Sequence, residues 1–162
     1  MRALPSLLST LVLVSTALAA HAQPAPGEGA PAKAKVSILE PKDGAVVPPT
    51  FHVKFGIEGM TVRKAAEDIF DRTSGHHHLV IDADPVAQGN VIPFDEHHVH
   101  FGKGQTETDV TLKPGPHTLQ LQLGDGAHAS YGKQLSAVIH VTVQEPPKAD
   151  VKPDAKPEAK SK

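Results

Sequence analysis

The sequence predicts an all-β fold: an immunoglobulin-like antiparallel β-sandwich of about seven strands with little helix. Three observations carry this. Apolar and polar residues alternate at period two in several short runs, such as Phe51-His52-Val53-Lys54-Phe55 and Leu119-Gln120-Leu121-Gln122-Leu123. Gly/Pro-rich turns separate the runs at intervals of roughly ten residues. No segment sustains a helical period, although Ala65 to Phe70 has room for one helical turn.

The predicted strands follow in order. Val36–Leu39 opens the domain and ends at the turn Pro41-Lys42-Asp43-Gly44. Phe51–Glu58 comes next, with Phe51, Val53, Phe55 and Ile57 inward. His76–Asp82 and His97–Phe101 are both led by histidines, and Gly102-Lys103-Gly104 then turns the chain into Thr106–Leu112. His117–Leu123 is the cleanest half-buried strand, and Leu135–Val143 is the last.

The two ends differ from this body. Residues 1–22 read as a secretory signal, with Arg2, an apolar Leu7–Leu18 stretch and a small-x-small site at Ala20-His21-Ala22. Cleavage after Ala20 is a second option and would leave His21 at the new terminus, where its amine and ring can chelate copper. The Pro/Ala/Gly segment 23–34 and the Lys/Pro/Ala segment 146–162 are expected to be disordered, which places one domain at 35–145. The chain is therefore expected in the periplasm or outside the cell, with no transmembrane segment once the signal is gone. There is no cysteine, so no disulfide, thiolate metal site or lipid anchor is expected. Loss of Arg2 takes the 16 basic residues to 15 against 18 acidic ones, and a net charge near −3 points to neither nucleic acid nor an anionic membrane.

Six of the eleven histidines lie in 75–101, as Gly75-His76-His77-His78 and Glu96-His97-His98-Val99-His100. On a strand, residues i and i+2 share a face. His76 and His78 therefore share one face, and His98 and His100 another, both expected to look into solvent. Val99 and Phe101 are assigned to the core side. In a simple up-and-down run of strands, these pairs and the loop holding Asp125 and His128 fall at one end of the domain. The candidate metal ligands are thus His76, His78, His98, His100 and His128. Imidazoles without thiolates suit Cu(II) or Zn(II), and Met60 is the single methionine after the signal, which argues against a Met-rich copper(I) chaperone. Asp82, Glu96 or Asp125 would orient a ring by accepting its second N–H.

Three other readings stay open. The histidines fix a loop by bonding one another and the backbone, or serve a pH-sensing envelope interaction module that docks a protein partner and charges below about pH 6.5. A metal-dependent enzyme is the third, and no Ser/His/Asp order, paired carboxylates or phosphate loop supports it. No catalytic residue or organic cofactor is therefore assigned. His117, at the head of its strand, is read as structural, in the place where immunoglobulin-like domains often put a tyrosine that ties down a corner. His52 and His140 are read as ordinary strand residues.

The motifs GHHHLVID, HHVHFGKGQTE and PGPHTLQLQLGDGAH, in this order, resemble the bacterial family called domain of unknown function 4399. The likeness covers about residues 36–144. It implies a small exported domain and carries no activity. Residues 63–74 are longer and more charged than the connection usual in that family.

Overall fold

The computed structural model describes residues 29–145; the signal sequence, residues 23–28 and the 146–162 tail lie outside the described residues. Nine strands form: β1 (Lys35–Glu40), β2 (Ala45–Val47), β3 (Thr50–Glu58), β4 (Thr61–Val62), β5 (Ser74–Ile81), β6 (His98–His100), β7 (Glu107–Thr111), β8 (Gly115–Gly124) and β9 (Ser136–Val143). Lys133–Leu135 is a single 3₁₀ turn, and the 65–70 segment forms turns rather than helix.

The strands make two sheets, β1-β3-β7 and β2-β9-β8-β5-β4, with β6 added to β5. The seven predicted strands are all present, and their pairings are antiparallel. The two extra strands are short and parallel: β2 lies along β9 and β4 along β5. The alternating inward residues build one core between the sheets, with Val53, Phe55, Leu79, Leu119, Leu121 and Val141 among its buried members. Ala30 and Ala34 pack against that core, so the last part of the Pro/Ala/Gly segment contributes burial that its composition did not suggest.

Two expectations about faces are corrected. β5 is buried along its whole length, not half-solvated, because it has covers on both sides. His77, Leu79 and Ile81 face the inter-sheet core, where the His77 ring lies 5.3 Å from the Phe55 ring. His76, His78 and Val80 face outward, yet segments 86–94 and 125–131 fold over them. Those segments are held by the Ile92 N–H donating to His128 O, by Gln122 bonding Val86 O and Ser130 Oγ, and by a bridge between Val91 and Ala129. Val99 is 37% exposed because β6 is a three-residue edge strand beside an open cleft. Phe101 alone of that pair reaches the core, against Phe55.

His117 performs the corner role. Its Nδ1 donates to Asp82 Oδ2 at 2.6 Å and its Nε2 to Lys113 O at 2.8 Å, tying β8 to the end of β5 and to its own preceding corner. With both nitrogens donating, the ring is held as imidazolium, and Asp82 raises its pKa above 6.5. A raised folded-state pKa stabilises fully below the unfolded value and is lost as pH rises through the folded value. Replacement His117→Phe should therefore cost about 1 kcal/mol near pH 6, at the low end for a charged hydrogen bond because Asp82 is well exposed. The difference in urea midpoint between wild type and variant should shrink as pH rises above neutral.

Candidate metal centre

Register assembles the site. β5 pairs β6 with His78 opposite His100, and pairs β8 with His76 opposite Gly124. These pairings set the head of β5, the end of β6 and the loop after β8 at one end of the sandwich. His76, His78, His100 and His128 each offer a ring nitrogen there, and the four atoms all lie within 4.8 Å of one another. The His100 and His128 Nε2 atoms are 2.8 Å apart, one donating to the other. Ring centroids of the four are 4.4 to 5.7 Å apart.

His98 stands outside this group. Its strand partner is Val80, one same-face step along from the His78–His100 pair. Its Nδ1 bonds Asp95 Oδ1 at 2.7 Å, and the same oxygen accepts the N–H groups of His97 and His98 to start β6. The face assignment of His98 and His100 together is sound, but the neighbouring row at His98 holds no imidazole. His97 bonds Ile81 O through Nδ1.

Glycines make the space for the rings. A methyl group at Gly102 would collide with the His100 ring, and one at Gly124 would meet His78 Cε1 at 2.9 Å. At Gly75 it would meet Gly124 O at 2.5 Å. The glycines that bound the histidine motifs are thus part of the site.

The loop that delivers His128 is built on Asp125, which is fully buried. Its Oδ1 accepts N–H from Ala127 and Ala129, its Oδ2 accepts from Arg72 at 2.6 Å, and its backbone C=O accepts the His128 N–H. His128 then takes a left-handed conformation, φ 66°, that aims the ring inward. Tyr131 anchors the same loop by donating its buried hydroxyl to Ser74 O at the head of β5. Neither Arg72 nor Tyr131 carried a recognisable signal in the sequence. Of the three carboxylates expected to orient a cluster ring, Asp82 bonds His117 at the opposite end, and Glu96 lies 3.8 Å from His97 Nε2.

Burial gives the site its chemistry. His76 and His78 are 0% and 1% exposed, and neither nitrogen of either ring has a hydrogen-bond partner among the described residues. His100 and His128 are half-buried, and the exposed Phe94 ring lies 5.1 and 5.0 Å from theirs. Burial pushes the His76 pKa down to about 3, with His128 and His100 adding and Asp125 opposing. Burial pushes His78 to about 2, helped by His76, His100, His128 and His77. His100 and His128 are lowered too, first by burial. The cluster is a set of neutral nitrogen donors, which is the protonation state that a metal requires.

The fold and this site define a β-sandwich domain with a four-imidazole cluster at one end. The chain belongs to the family described as Domain of unknown function (DUF4399), which matches residues 53–144, more than half of the sequence. No curated protein matches the chain. Among solved structures, the endo-beta-1,4-mannanase from Thermotoga petrophila is similar over 74% of this chain and 21% of its own, at 18% identity and a TM-score of 0.42. The chain thus spans about a fifth of that enzyme's length. No helix among the described residues is long and apolar enough to cross a membrane.

Depressed folded-state pKa values on bases make stability full above the unfolded value of about 6.5 and lost as pH falls below it. Metal-free protein should lose stability steadily between about pH 6.5 and pH 4, by up to about 1.4 kcal/mol per pH unit for each fully buried imidazole. Chemical denaturation at several pH values checks this, and His76→Phe should flatten the slope. Separately, Gly102→Ala should cost about 1–3 kcal/mol by crowding His100.

Proposed function

We propose that this protein is exported to the periplasm or beyond and binds one transition-metal ion, Cu(II) or Zn(II), through His76, His78, His100 and His128. Its role is metal handling or storage, without catalysis. The observation that carries the reading is the pair of buried rings with four unpartnered nitrogens. An unpaired buried polar atom costs about 1–3 kcal/mol, and such groups in a native protein ask for an ion or water to pair them. A metal bonded to one nitrogen of each ring removes half of that cost.

The donor set fits. Four imidazoles complete a tetrahedral zinc shell, and nitrogen donors equally suit tetragonal Cu(II). In a tetrahedral shell with Zn–N of about 2.0–2.1 Å, donors stand about 3.3 Å apart. The 2.8 Å between His100 and His128 Nε2 has to open slightly, and the wider separations in the cluster have to close by about 1 Å or more.

Titration of the metal-free mature protein with Cu(II) and Zn(II) against a competing chelator tests this. One equivalent should bind with submicromolar affinity. The His100→Ala, His128→Ala double variant should lose at least a hundredfold, and His98→Ala should change affinity less than threefold. Binding weaker than a few micromolar in wild type, or an equal loss in His98→Ala, would overturn the assignment. The four histidines would then stand as a packing device.

A further inference from the structure

Four exposed apolar side chains lie on segments that flank the loop carrying His128. Phe94 is 66% exposed while lying against the His100 and His128 rings. Phe70, Ile69 and Val91 are 67%, 42% and 64% exposed. Backbone contacts bring these residues to the same end as the site. The Ala66 N–H donates to Gly126 O, and a Cβ at Gly126 would fall 2.5 Å from Asp68 O and 3.0 Å from Ile69 Cα. On the other side, Val91 bridges Ala129 and the Ile92 N–H donates to His128 O. The 126–129 loop that carries His128 therefore runs between the two apolar segments.

Both segments set acids beside their apolar side chains. One reads Glu67-Asp68-Ile69-Phe70-Asp71 and the other Phe94-Asp95-Glu96. Glu67, Asp68, Asp95 and Glu96 are all exposed. The cations near this surface are fewer: exposed Lys64, Arg63 paired to Asp71, and exposed Lys103, which follows the Gly102 whose C=O accepts the Ala65 N–H. The surface is an apolar centre with a predominantly acidic rim, beside two half-buried imidazoles.

We infer that this end is a docking surface for a protein partner that presents an apolar patch rimmed by Lys or Arg and exchanges metal with the histidine cluster. Charge complementarity selects this occupant. A second copy of the chain would bring the same acidic rim and be repelled, and an anionic membrane surface would be repelled as well. The apolar centre is small, with four exposed side chains, and suits a brief contact. A brief contact is what transfer of a metal between proteins requires. The purpose assigned to the contact rests on the metal reading above, but the surface can be tested without metal.

The probe is a pair of short peptides sharing a Phe-His core, one flanked by lysines and the other by glutamates. Each is titrated into the isotope-labelled, metal-free, full mature chain. The lysine peptide should shift backbone resonances in 64–70, 91–96 and 126–129. It should bind about tenfold tighter than the glutamate peptide at low salt, with the gap closing near 0.15 M where the Debye length is about 8 Å. The Glu67→Lys, Glu96→Lys double variant should reverse the preference, and Phe70→Ser should weaken binding severalfold while leaving chelator-measured metal affinity unchanged. Equal binding of the two peptides, shifts confined to the β6–β7 cleft, no binding, or self-association of the chain through this end would overturn the inference. A chain that selects the lysine peptide but holds no metal in chelator competition would remove the metal reading and leave the surface standing.

Discussion

The register of β5 between β6 and β8 is the constraint on which the rest of the structure depends. It sets His78 opposite His100 and Gln122, and His76 opposite Gly124. Because side chains alternate strictly along a strand, a slip of one residue would send His77 to the outer face and drive His76 and His78 into the apolar core. The core residues Leu79 and Ile81 hold the register from the other side, since the same slip would carry them out. Apolar burial on the inner face thereby fixes the placement of imidazoles on the outer face.

Around that register the molecule solves a problem that it also creates. Two rings are buried with no partner on either nitrogen, and together they hold four of the seven buried side-chain atoms without a partner among the described residues. Gln122 on the neighbouring strand bonds Val86 and Ser130, and Asp125 bonds Arg72 and two backbone N–H groups. The contrast is local. It falls where His100 and His128 come within reach and where three glycines keep backbone and rings from colliding. Neutral imidazoles that resist protonation are good ligands and poor surface residues, which is why the proposed role is binding.

Much of this was legible in the sequence. Period-two alternation in Phe51–Glu58 and His117–Leu123 fixed strand identity and inward faces, and strand order alone brought His76, His78, His100 and His128 to one end. What stayed hidden depended on tertiary cover. The apparent solvent face of β5 is enclosed by segments 86–94 and 125–131, which lack any periodicity to advertise their packing. His98 matched His100 in phase, and only the pairing with Val80 separates it from the cluster. Gly102 and Gly124 read as turn residues, whereas their lack of a Cβ is what admits the His100 and His78 rings. Arg72 and Tyr131 act through contacts with partners 53 and 57 residues away, beyond any local pattern.

The most direct test of the central claim is X-ray absorption on protein loaded with one equivalent of Cu(II) or Zn(II). The account predicts a first shell of nitrogen at about 2.0 Å with the outer-shell scattering of three to four imidazoles. It also predicts that His98→Ala leaves the spectrum unchanged while His78→Ala removes one ring. A shell dominated by oxygen, or one that loses a ring in His98→Ala, would contradict it.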